Sequence, residues 1–221
     1  DTGIDYTHPD LAGNYVTLGY DWVNNDEDPL DDFGHGTHCA GIIAAVLNNS
    51  LGIAGIANVS IMAEKGLDAG GWGNEDDLAQ AIIHAVDQGA TILSNSWGGP
   101  YSELIYDAIK YAYNNSVLVI AAAGNTASRM KSYPAAHDEV IAVTATDSDD
   151  NPAYFTTFGD WVEVAAPGVD IYSTMPTYNV TMNDAGYSMN YSYMSGTSMA
   201  CPHVAGVAAL IWSQFPNATR D

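Results

Sequence analysis

Three short glycine-punctuated segments hold residue types that can do covalent chemistry on a carbonyl. They are Asp1-Thr2-Gly3-Ile4-Asp5, Gly34-His35-Gly36-Thr37-His38-Cys39-Ala40-Gly41 and Ser195-Gly196-Thr197-Ser198-Met199-Ala200-Cys201-Pro202-His203. A serine hydroxyl is a poor nucleophile until a base within hydrogen-bond reach takes its proton. Imidazole does this near neutral pH. A carboxylate behind the ring fixes its tautomer and stabilises the imidazolium. Asp1, His35 and Ser198 are therefore candidate orienter, base and nucleophile. Each segment alone reads as a turn; the three together read as a nucleophilic site.

Such a site needs elements that hold distant segments together. Apolar runs at Val59–Ala63, Ile92–Asn95, Val117–Ala122 and Val140–Thr144 read as strands, and Asp76–Asp87, Ser102–Tyr113 and Ser198–Phe215 read as helices. Buried strands alternating with helices predict an α/β fold of three layers, a doubly wound, mostly parallel sheet with helices on both faces. Acidic, turn-rich segments at 24–32, 147–151 and 179–190 read as surface loops. No repeat or linker divides the chain, so residues 1–221 are expected to form one domain. Asp1 reads as the turn after a strand, which implies an N-terminal strand missing upstream, and Ser213–Asp221 ends as a helix closes. Ser198 falls at the start of its helix, where the dipole favours developing negative charge, and Pro202 sits in the first turn, where a missing N–H costs nothing.

With its Asp, His, Ser order, the chain resembles the subtilisin-like serine proteases (subtilases) over essentially all 221 residues. The resemblance implies a secreted endopeptidase acting through an acyl-enzyme on polypeptide substrates, with its own pro-segment in the full-length precursor and a monomeric state. It assigns Asn125, in Ala123-Gly124-Asn125, as the side-chain oxyanion donor. Sedolisins share this fold but carry Glu and Asp where His35 and Asn125 stand, so acidity does not make this an acid protease. Ser96-Trp97-Gly98-Gly99 and Gly71-Trp72-Gly73 match the two edges of the family's cleft, the latter as a glycine-bearing strand. Substrate would bind there by strand addition. Ala122, Ala123 and Gly124, with Gly98 and Gly99, would line a roomy apolar S1 pocket for large hydrophobic P1 side chains. The alternative is a subtilase-fold fragment without catalysis, because the aspartate is also residue 1.

Oxygen donors at alternating positions in Asp21–Asp32 suit Ca²⁺. The loop is similar to the calcium loop of thermitase-like members, which implies Asp21, Asn24, Asp26 and Asp28 as ligands, with the Leu30 carbonyl. A second, stronger family site implies Asp10 with Asn49 and the carbonyls of Leu51 and Ile53; Asn48 is an alternative to Asn49. His38 and His203 read as core residues. Cys39 and Cys201 read as two buried thiols, with a disulfide between them as the alternative. Six Asn-x-Ser/Thr sequons, at Asn48, Asn58, Asn114, Asn179, Asn190 and Asn217, fit an exported protein.

The composition bounds the rest. Twenty-seven acidic against five basic residues give a net charge of −22, which leaves no basic footprint for nucleic acid or an anionic membrane. At 47% hydrophobic residues the chain has a core, and no stretch is long enough to span a bilayer. A salt-rich habitat is one expectation raised by the surplus charge.

Overall fold

A computed structural model describes residues 1–219; the last two residues of the terminal stretch Ser213–Asp221 lie outside the described residues. In chain order the elements are β1 (Tyr20–Asp21), α1 (His35–Ala44), β2 (Glu64–Lys65), α2 (Glu75–Asp87), β3 (Ile92–Asn95), α3 (Glu103–Asn114) and β4 (Leu118–Ala122). They continue with β5 (Val140–Thr146), β6 (Val164–Pro167), β7 (Ile171–Thr174), α4 (Thr181–Asp184), β8 (Tyr191–Met194) and α5 (Thr197–Gln214).

Strands β3-β4-β5-β6 form one all-parallel sheet in that order. Its central strands β4 and β5 are largely buried, as a helix-covered parallel sheet requires, while β6 at the edge is mostly exposed. One face packs on α2 and α3 through Leu78, Ile82, Ile105 and Ile109. The other receives α5 through Ala200, Cys201 and Ala205, and α1 packs alongside α5. The strands β1 and β2 form a separate parallel pair, and β7 and β8 an antiparallel hairpin.

The three-layer α/β architecture is the expected one, and its helices begin and end within a residue or two of their expected positions. Four local expectations are corrected. Val59–Ala63 forms no regular strand: Ile61 makes a single bridge to Tyr15 and the ladder starts only at Glu64. Its partner, residues 11–19, is mostly turn, so it offers donors and acceptors only intermittently. Segment 179–190 carries the short helix α4. Asp31, placed by composition in a solvated loop, is wholly buried. Gly71-Trp72-Gly73 is a turn rather than a strand, closed by Asp68, whose Oδ1 accepts from the Gly70 and Trp72 N–H groups at 2.8 and 3.0 Å.

Candidate active site

His35 opens α1, and Gly34 immediately before it has φ +117°, a left-handed conformation costly to any side chain. A Cβ there would also lie 2.9 Å from Met175 Cε. Gly36 lets α1 approach the Asp1 turn: a Cβ would stand 2.1 Å from the Gly3 carbonyl oxygen and 3.2 Å from Asp1 Oδ1. The close approach puts His35 Nδ1 2.8 Å from Asp1 Oδ1, with both side chains less than a fifth exposed. The same carboxylate oxygen accepts from the Thr2 N–H at 2.8 Å.

Burial works against the imidazolium of His35. The Cys39 sulfur, 3.9 Å from Nδ1, and the Asp31 carboxylate outweigh it, so the pKa of His35 lies above its ordinary value of 6.5. Three chemically different groups, Asp1, His35 and Cys39, thus gather within 4.8 Å of one another.

Ser198 sits in the first turn of α5, where its N–H has no partner within the helix. Its hydroxyl donates to the Ser96 carbonyl at 3.1 Å, and the Ser96 hydroxyl donates back to the Ser198 carbonyl at 2.8 Å. That carbonyl also accepts from the Cys39 thiol at 3.4 Å. No hydrogen bond joins Ser198 Oγ to His35 among the described residues; such bonds are often loose before substrate binds.

Asn125 follows the end of β4 and is oriented from α5. Its Oδ1 accepts from the Thr197 N–H at 2.9 Å and the Thr197 hydroxyl at 3.1 Å, and that hydroxyl accepts in turn from the Gly124 N–H at 3.0 Å. With both donors on the oxygen, the NH₂ end of Asn125 is left to donate elsewhere, beside Gly196. Thr197 is the orienting residue that sequence reading missed; its position one before the nucleophile was the available signal.

A cleft of about 450 Å³ runs from His35 past Gly71, Trp72 and Gly73 on one side and Ser96, Trp97 and Gly98 on the other. Trp72 is 79% exposed, so it is not packed into the core. Ala123 is wholly buried and lines no part of this cleft. Gly124 faces Thr157 and Ser132, and a Cβ on Gly98 would lie 2.4 Å from Ser132 Oγ. Ser132 therefore stands between Gly98, which lines the cleft, and Gly124, which does not. Nothing in its local sequence marks it, because the relation is purely tertiary.

The two acidic sites differ. Asp10 is wholly buried, and among the described residues no cationic side chain pairs with it. Its carboxylate accepts from Asn49 Nδ2 at 2.6 Å, the Ile53 N–H at 3.1 Å and the Tyr191 hydroxyl at 3.1 Å. Burial, then the Asp10 charge, pushes the Tyr191 pKa up to about 12. A buried anion met only by neutral groups, beside a loop rich in amide and carbonyl oxygens, fits a hard cation. In the other loop each carboxylate serves a neighbour. Asp21 accepts from the Asn24 backbone and side-chain amides, Asp26 from the Asp28 N–H and Asp28 from the Tyr6 hydroxyl. Asp21, Asp26 and Asp28 do not converge within 4.8 Å as a set.

Both cysteines are buried and free, with Cys201 Sγ 3.6 Å from the Ser94 hydroxyl and its pKa pushed up to about 12 by burial. His203 Nδ1 meets the Met199 carbonyl at 2.7 Å, a structural contact within α5.

The model of the subtilase family matches residues 1–221. The chain belongs to the subtilase family. It is 51% identical over 219 residues to a thermophilic serine proteinase of Bacillus sp. strain AK1, covering 98% of this chain and 52% of that protein. It is 48% identical over 222 residues to thermitase of Thermoactinomyces vulgaris, covering all of this chain and 75% of thermitase. The fold matches a cold-adapted subtilisin-like serine proteinase with a TM-score of 0.87 at 32% identity, over the whole of this chain and 76% of that one. The subtilase chain described here thus spans about half the length of one relative and three quarters of another. Among its described residues no helix is long and apolar enough to cross a membrane.

Proposed function

We propose that this subtilase is a serine endopeptidase that is exported, stabilised by calcium and active as a monomer on polypeptides. The observation that carries the reading is the 2.8 Å hydrogen bond between Asp1 and His35, supported by the Ser198 hydroxyl in the first turn of α5 and the Asn125 amide held by Thr197. Substrate lies extended between residues 71–73 and 96–98. Ser198 Oγ leaves the Ser96 carbonyl, passes its proton to His35 Nε2 and attacks the scissile carbonyl. Asp1 Oδ1 accepts from Nδ1–H and stabilises the imidazolium. The Asn125 NH₂ and the Ser198 N–H donate to the oxyanion. His35 then protonates the leaving amine, and water repeats the sequence in reverse to free the acyl group.

Gly98 and Gly124 leave room for a large hydrophobic P1 side chain, with Ser132 between them. Calcium belongs at Asp10, with Asn49 and the carbonyls of Leu51 and Ile53, where it would neutralise the buried carboxylate and fix the loop after α1. The sequons support export, and a pro-segment would belong to the full-length precursor.

Labelling by a serine-directed fluorophosphonate tests the reading. Label that appears on the full-length protein with calcium and vanishes in Ser198→Ala supports the peptidase. A folded, unlabelled protein refutes it and leaves a non-catalytic subtilase fold.

A further inference from the structure

We propose that Lys65 is a positioning residue for the catalytic pair: together with Asp31, and through Thr2, it sets where the Asp1 carboxylate meets His35. The proposal rests on the peptidase reading above and concerns residues outside the triad and oxyanion site.

Lys65 is a wholly buried lysine. An ammonium is strongly disfavoured in such surroundings unless every proton is matched. Here all three are. Nζ donates to the Thr2 carbonyl at 2.9 Å, the Leu67 carbonyl at 3.2 Å and Asp32 Oδ1 at 2.6 Å. The same segment grips Asp1 directly, since the Gly66 and Leu67 N–H groups both donate to the Asp1 carbonyl at 3.0 Å. Residues 65–67 therefore hold two successive peptide groups, those following Asp1 and Thr2, from one side.

Asp31 holds them from the other. It is also wholly buried, and its carboxylate accepts five bonds. Oδ1 takes the Thr2 hydroxyl at 2.8 Å and the Phe33 and Gly34 N–H groups at 3.1 and 2.8 Å. Oδ2 takes the Thr37 N–H at 2.9 Å and the Thr37 hydroxyl at 2.6 Å. The Gly36 N–H, one residue after His35, donates back to the Thr2 hydroxyl at 2.9 Å. Thr2 is the junction: its carbonyl is tied to Lys65, and its hydroxyl is tied both to Asp31 and to the turn that carries His35.

The 2.8 Å contact between Asp1 and His35 joins side chains from two segments 34 residues apart in sequence. Its geometry is only as good as the alignment of those backbones, and this network is what aligns them. A compact ammonium suits three separate acceptors converging on one point, whereas the planar guanidinium fork does not.

A purely structural lysine would lower the folded fraction and leave turnover per active site unchanged. A positioning lysine lowers turnover per site, because misplacement by about 1 Å costs on the order of 10²-fold. The test uses the full-length protein with Lys65→Met, Thr2→Val and Thr2→Ser. Each is counted by fluorophosphonate active-site titration and then assayed for kcat and KM on a peptidyl p-nitroanilide with Phe at P1. The expected result is a fall of about 10²-fold in kcat per titrated site for Lys65→Met and Thr2→Val, with KM within about twofold of the parent. Thr2→Ser, which keeps the hydroxyl, returns kcat to within about threefold. Should Lys65→Met fail to fold, the Thr2 pair decides. The proposal is overturned if Thr2→Val keeps its turnover, if Thr2→Ser is as impaired as Thr2→Val, or if a folded Lys65→Met turns over normally. A parent that neither labels nor cleaves refutes the peptidase reading and this role with it; an active parent with unchanged variants refutes this role alone.

Discussion

His38 lies on α1 three residues after His35, and its side chain is wholly buried. Nε2 stands 3.1 Å from the carbonyls of both Ile171 and Ser192, so it carries the proton and ties α1 to the β7–β8 hairpin. Its Nδ1 has no partner among the described residues. Burial pushes its pKa from 6.5 down to about 4; the Ser192 and Ile171 carbonyls oppose the fall, and the neighbouring His35 and His203 add to it. The unfolded chain therefore binds a proton near pH 6.5 that the fold refuses until about pH 4. The stability this contributes is present above pH 6.5, declines as pH falls and is gone below about 4. A pKa of about 4 in place of 6.5 corresponds to about 3 kcal/mol in full, of which about 2 kcal/mol is lost between pH 8 and pH 5. His137 and His203, both lowered by burial, act in the same direction, while His35, raised, opposes them. Urea unfolding of the Ser198→Ala protein, which cannot digest itself, measures the effect at saturating calcium, beside an NMR titration of the imidazole. A His38 ring titrating at pH 6 or above, or stability flat from pH 8 to 5, refutes the reasoning.

Three further outcomes follow from the site. Asn125→Ala lowers kcat by about 10²–10³-fold with KM little changed, the range known for a subtilisin side-chain oxyanion donor; steady-state kinetics on titrated enzyme checks it. Because His35 must be neutral to act and its pKa is raised, kcat/KM falls as pH drops through a midpoint above 6.5. Cys39→Ala moves that midpoint down, which a pH–rate profile reads. Calcium at about 100 times its Kd stabilises the parent by about 2.7 kcal/mol, and Asp10→Asn abolishes that gain in thermal unfolding with and without chelator.

The residues proposed for catalysis were legible because their chemistry depends on side-chain type and local turns. Asp1, His35 and Ser198 each lie in a glycine-bearing segment, and the AAGN run marks Asn125. The helices were legible because apolar periodicity and Ser102 as an N-cap, its hydroxyl accepting from the Ile105 N–H, are local signals. Val59–Ala63 misled because composition reports extended, buried chain and says nothing of whether a continuous partner runs beside it. Asp31 misled for a related reason: in a run of acidic residues nothing local distinguishes the one carboxylate that is surrounded by N–H and O–H donors.

The amino-acid order alone thus pointed to the family, the α/β class and the residues proposed as nucleophile, base and orienting carboxylate, because each is written in contiguous motifs. Only the tertiary structure decided how Asn125 is aimed, that Ser132 stands between Gly98 and Gly124, that Asp10 is wholly buried and accepts from Asn49, Ile53 and Tyr191, and that Lys65 and Asp31 enclose Thr2. These properties belong to contacts between residues tens of positions apart. Distance in space and exclusion of water, which set hydrogen-bond geometry and pKa, exist only once the chain has folded.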